Sequence, residues 1–65
     1  MTFSQFVTQY RLNMARELLK HSQKAVSEIC YTVGFNDLPH FVRVFTKNIG
    51  MPPSQYRKKL QPNEN

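Results

Sequence analysis

The sequence predicts an all-α fold, and three observations carry that expectation. Val26, Ile29, Cys30 and Val33 fall at i, i+3, i+4 and i+7, the spacing of one face of a helix. No stretch alternates apolar and polar residues as a half-buried strand does. Gly34, Gly50 and the Pro52-Pro53 pair stand between the periodic segments rather than inside them, where residues that break helices belong.

The first element opens at Thr2-Phe3-Ser4-Gln5, a capping box in which the Thr2 hydroxyl accepts from the Gln5 amide and the Gln5 side chain reaches back. No Gly or Pro follows before Lys20, so a long helix over residues 2–20 is expected. At about 100° per residue it carries two apolar stripes. Phe3, Phe6, Val7, Tyr10 and Met14 form the first; Leu12, Ala15 and Leu19 form the second, with Leu18 at the edge of the first. A helix with two apolar faces sits between two partners.

His21-Ser22-Gln23-Lys24 reads as a connection, followed by a helix of about nine residues carrying the Val26–Val33 stripe. Gly34 suits a positive φ after a helix end. Phe35 is expected to plug the gap between two helices. Asn36 or Asp37 caps the next helix, and Pro39 is tolerated in its first turn. That helix is expected over residues 37–48 with Phe41, Val44 and Phe45 inward, ending at Ile49-Gly50. A last helix covers residues 53–60, and residues 61–65 read as a flexible tail.

Composition bounds the function classes. Sixty-five residues form at most one small domain, which buries about 60% of its unfolded surface. With 40% hydrophobic residues the chain is too apolar for disorder, and no apolar run is long enough to span a membrane. No charged-then-apolar leader opens the sequence, so secretion is not expected. Cys30 is the single cysteine, which fits a reducing cytoplasm. Nine Lys/Arg stand against four acids, Glu17, Glu28, Asp37 and Glu64, for a formal charge of +5. A small basic domain is drawn to polyanions, nucleic acid foremost, although charge alone suits any soluble basic protein equally well.

A faint internal repeat adds to this. Met1-Thr2-Phe3-Ser4-Gln5-Phe6 matches Met51-Pro52-Pro53-Ser54-Gln55-Tyr56 as Met-x-x-Ser-Gln-aromatic. The second copy follows a helix, so the first stripe of the long helix is expected to need an upstream partner.

A short helix, a glycine turn and a second amphipathic helix make the helix-turn-helix layout, expected here over residues 25–49. In that layout the second helix enters the major groove of duplex DNA. Its outward residues are Pro39, Val42, Arg43, Thr46 and Lys47. Arg43 suits guanine or a phosphate, and Val42 a thymine methyl. Asn36 and His40 reach from the N-terminal end, whereas Thr46 and Lys47 suit phosphate. The N–H groups opening the helices near Val26 and Pro53 are further phosphate candidates. Many bundles that bind no DNA share such a pattern.

The stretch Ile29-Cys30-Tyr31-Thr32-Val33-Gly34-Phe35-Asn36-Asp37, then Phe41-Val42-Arg43-Val44-Phe45-Thr46-Lys47 and Gly50-Met51-Pro52-Pro53-Ser54-Gln55-Tyr56-Arg57, resembles the signature of the AraC/XylS family. Arg11-Leu12-x-x-Ala15-x-x-Leu18-Leu19 is similar to that family's linker helix. The resemblance spans about Thr2 to Leu60. It implies a homeodomain-like helix-turn-helix subdomain preceded by the long linker helix, the second of the family's two DNA-reading units. It implies promoter binding, often with activation through RNA polymerase, and places Leu38, Pro39, Val42 and Arg43 where bases are faced. The family's first unit has no counterpart in these residues, and Pro52 stands where a Ser or Thr cap is frequent.

Chemistry of other kinds finds little support. Cys30 lies on an apolar stripe, and with His21 and His40 it has no metal-ligand spacing. Ser4, Ser22, Ser27 and Ser54 lack a His/Asp partner pattern. His40 suits solvent as well as DNA, and Arg57-Lys58-Lys59 suits a soluble helix end as well as phosphate. No catalytic residue, cofactor, metal or membrane contact is expected. The competing expectation is a protein-interaction module, self-associating as a homodimer through Phe3, Phe6, Val7, Tyr10 and Met14 or docking on RNA polymerase without reading bases.

Overall fold

Thr2 starts the first helix as the capping box requires: Gln5 N–H donates to Thr2 Oγ1 at 3.1 Å, and Thr2 N–H donates to Gln5 Oε1 at 2.9 Å. The computed structural model describes residues 2–61. Among them stand four helices and no strand: α1 (Phe3–His21), α2 (Val26–Thr32), α3 (Leu38–Ile49) and α4 (Pro53–Leu60). The chain is all-α. Helix α1 packs on α2 and α4, and α3 packs on the same two.

Only one stripe of α1 faces the core. Leu12, Ala15 and Leu19 are fully buried and meet Ile29, Cys30 and Val33 from α2 and its end, Phe35 from the turn, and Phe41 and Phe45 from α3. Aromatic rings run through this core in sequence: Phe35 to Phe41 at 5.1 Å, Phe41 to Phe45 at 5.8 Å, and Phe45 edge-on to Tyr56 at 5.5 Å. The other stripe is left outside. Phe3 is 81% exposed, Phe6 58%, Tyr10 59% and Met14 40%; Val7 is half-buried.

The repeat in the sequence has a structural counterpart. Helices α1 and α4 begin at corresponding residues, Phe3 and Pro53, each after an extended cap residue, Thr2 and Pro52. Tyr56 packs on Phe45 of the preceding helix, whereas its counterpart Phe6 is exposed. Pro52 supplies no side-chain cap to α4, as the loss of a hydroxyl there dictates.

Helix α2 spans seven residues, two fewer than its stripe suggested, because Val33 is already its cap and Gly34 turns the chain at φ +109°. Phe35 N–H returns to Cys30 O at 3.0 Å and Gly34 N–H to Tyr31 O at 3.2 Å, closing orphan carbonyls of the last turn. Asp37, not Asn36, caps α3: its Oδ2 accepts from His40 N–H at 3.0 Å. Helix α3 then runs to Ile49 and stops at Gly50 with φ +101°.

Two residues at the far end depart from expectation. Gln61, assigned from the sequence to the tail, folds back so that its Nε2 donates to Leu19 O at 2.7 Å and Lys20 O at 3.0 Å. Arg57 donates through Nε to Leu19 O at 3.3 Å and through Nη2 to Ser22 O at 3.2 Å. The last carbonyls of a helix have no partner of their own, and here α4 supplies donors to them. Arg57 thereby holds α4 to the end of α1 through two of its donors. Residues 62–65 of the expected tail lie outside the described residues.

Candidate nucleic-acid interface

The rotation of α3 about its axis decides what it presents. Phe41 and Phe45 are fully buried, which turns Pro39, Arg43 and Lys47, four residues apart on one line, to the outside. All three are exposed, and His40 is exposed beside them. The His40 ring stands edge-on to Phe35 at 5.8 Å, so one side of the imidazole is supported while the other is open. Asn36 is exposed in the turn just before the cap.

The remaining three expected residues stand on the shoulders of the helix. Leu38 and Val42 are half-buried and packed against the core, so each offers an outer edge rather than a whole side chain. Thr46 is half-buried, and its hydroxyl donates to Val42 O at 2.7 Å. That bond occupies the hydroxyl proton within the helix itself.

No carboxylate among the described residues pairs with the charge on this face. Among the described residues Lys24 pairs with Glu28 at 3.7 Å and His21 Nε2 lies 3.4 Å from the Glu17 carboxylate, both contacts exposed. Arg43 and Lys47 have no carboxylate partner there, and the Asp37 carboxylate is engaged as the helix cap. The face therefore offers N–H donors and positive charge to an incoming group. Along one flank, Gln9 of α1 donates through Nε2 to Asn48 Oδ1 at 3.4 Å, fixing the end of α3 against α1.

Sequence reasoning missed Arg11. Its guanidinium lies over the Phe35 ring with Cζ 5.9 Å from the centroid, against the turn that leads into α3. No local pattern signals this, since the two residues are distant in sequence and meet only when α1 packs on the helix pair.

No constellation for bond chemistry accompanies the face. Cys30 is fully buried; burial, and secondarily the Asp37 carboxylate, push its thiol pKa up. A raised pKa keeps the sulfur protonated at neutral pH, and a thiol is a poor nucleophile. Among the described residues no three His, Cys, Asp or Glu side chains gather to hold a metal ion. No helix among them is long and apolar enough to cross a membrane.

A short bracing helix, a glycine turn and a second helix with a basic outer line define a helix-turn-helix domain. Comparison with known proteins gives the same class: residues 1–59 match the model of a family described as a helix-turn-helix domain, and the chain belongs to that family, in its AraC/XylS-type form. It is similar to the melibiose operon regulatory protein of Escherichia coli strain K12, 39% identical over 61 residues, which cover 94% of this chain and 20% of that protein. It is also similar to the HTH-type transcriptional activator RhaR of Salmonella typhi, 47% identical over 57 residues, covering 88% of this chain and 20% of the relative. The chain thus spans about one fifth of the length of these curated relatives. The crystal structure of the C-terminal domain of the two-component response regulator yesN from Fusobacterium nucleatum superposes with a TM-score of 0.85 at 33% identity, covering 88% of this chain and 55% of that one. The printed names of these relatives are those of regulators of transcription.

Proposed function

We propose that this domain binds duplex DNA sequence-specifically by laying α3 in the major groove. The observation that carries the reading is the outward line Pro39, Arg43 and Lys47 opposite a buried Phe41 and Phe45. Arg43 bonds a guanine edge or a phosphate, His40 and Asn36 contact the duplex at the N-terminal end of the helix, and Lys47 meets phosphate. Leu38 and Val42 contribute apolar edges suited to thymine methyls, and Thr46 lies beside the backbone. The site of action is the cytoplasm, where a lone cysteine stays reduced. The domain also contacts RNA polymerase, a reading that one relative's name, transcriptional activator, supports.

Titrating the chain with duplex DNA at several salt concentrations tests the reading. Two to four phosphate contacts give a log K that falls by about 2–4 per tenfold rise in salt. Absent binding, or binding indifferent to salt, overturns it.

A second reading has its own observation. The exposed line Phe3, Phe6, Tyr10 and Met14, flanked by Val7, favours self-association, since fully burying each large apolar side chain stabilises by about 1.5–3 kcal/mol. Sedimentation of the chain from micromolar to millimolar concentration is expected to show a dimer that Phe6→Ser weakens. A clean monomer throughout sets this reading aside.

A further inference from the structure

We propose that Arg11 is a positioning residue for α3, acting through the turn rather than on DNA; the inference rests on the reading of α3 as the helix that contacts bases. Three observations place it. The Arg11 guanidinium lies over the Phe35 ring, its Cζ 5.9 Å from the centroid. It also lies against Gly34, where a Cβ would stand 2.9 Å from Nε and 3.2 Å from Cζ. Among the described residues it takes no hydrogen bond and no ion pair, although Arg16 and Arg57 take both their places in hydrogen bonds. A half-buried guanidinium so placed is held by packing on Phe35 and Gly34 rather than by its donors.

The contact matters because of what Phe35 touches next. That one ring meets the first turn of α3 twice, His40 edge-on at 5.8 Å and Phe41 at 5.1 Å. Arg11 thus presses from α1 on the same ring that sets where α3 begins. Within that turn Gly34 adopts φ +109°, and glycine leaves the backbone freer than any other residue. Its missing side chain serves a second purpose here, leaving room for the guanidinium. Attraction between a cation and a ring face favours the arrangement, and a flat guanidinium stacks where a round ammonium does not. A small tilt at Phe35 moves His40 and the N-terminal end of α3 against the bases, while the charge available to phosphates is unaltered.

Arg11→Lys separates these effects because it keeps the charge and removes the plane. The probes are a 30-base-pair duplex enriched from a random pool by the unaltered chain, and an unrelated duplex of equal length. With helix content unchanged, the variant is expected to bind the enriched duplex about two- to fivefold more weakly, since a compact ammonium supports the Phe35 ring less well than a guanidinium does. Binding to the unrelated duplex and the salt slope are expected to stay as they were. The ring resonances of His40 and Phe41 should shift in the free protein. Equal weakening on both duplexes with a shallower salt slope makes Arg11 a phosphate contact and overturns the proposal. Unmoved His40 and Phe41 resonances, or a loss of helix content that makes Arg11 a residue of the fold at large, overturn it too. If the unaltered chain enriches no duplex, the base-reading role of α3 falls, and the ring resonances alone then decide whether Arg11 sets the turn.

Discussion

Phe41→Ala is expected to unfold most of the domain at room temperature. Phe41 is fully buried, with Phe35 on one side at 5.1 Å and Phe45 on the other at 5.8 Å. Truncating a buried Phe to Ala costs about 3–5 kcal/mol, because transfer energy is lost and the cavity closes only in part. A domain of this length holds a total stability of roughly 3–10 kcal/mol at 0.05–0.15 kcal/mol per residue. One such deletion therefore consumes much or all of it. Far-ultraviolet circular dichroism with urea titration reads the result, and a midpoint near that of the unaltered chain would show that the ring chain is not the core. Phe3→Ala is the control: Phe3 is 81% exposed, and a surface change of that kind alters stability by only about 0.5 kcal/mol either way.

Arg43→Ala is expected to leave the fold intact and remove much of the DNA affinity. Arg43 is exposed on α3, and among the described residues it makes no hydrogen bond or ion pair whose loss would disturb the helix. Losing a bidentate guanine contact costs about 1–3 kcal/mol, a fall of roughly 5- to 150-fold in binding. The pattern of the loss tells which group Arg43 meets. Relaxed preference at one base position with an unchanged salt slope marks a base contact. Uniform weakening across duplexes, with the slope shallower by about 0.9, marks a phosphate. Full affinity in the variant would remove Arg43 from the interface.

The elements of this fold were legible because each is announced locally. Thr2 and Gln5 sit three residues apart and bond as that spacing requires. Gly34 and Gly50, the two glycines of the chain, are also the two residues at positive φ among those described. The period of Phe41 and Phe45 alone turned Arg43 outward.

Other features depend on neighbours far away in the sequence. The α1 sequence offered two apolar stripes of similar strength, and nothing within it ranked them. Leu12, Ala15 and Leu19 became the inner one because α2 and α3 present Ile29, Cys30 and Phe41 to them, leaving Phe3, Phe6 and Tyr10 outside. Gln61 looked like the start of a tail because proline and asparagine follow it. Its role appears only when α4 brings it to the open carbonyls of Leu19 and Lys20. Thr46 looked available to phosphate, yet the nearest acceptor is Val42 O one turn back.

By itself, then, the sequence determined the all-α class, the places where helices start and stop, and the line of residues that α3 turns away from its own apolar face. Those follow from periodicity, caps and glycine turns, which act over a few residues. Tertiary structure alone decided which face of α1 is buried, how Arg57 and Gln61 close its end, and that Arg11 lies on the turn before α3. Each of those is a contact between segments distant in the chain, made only once burial of the shared core has brought them together.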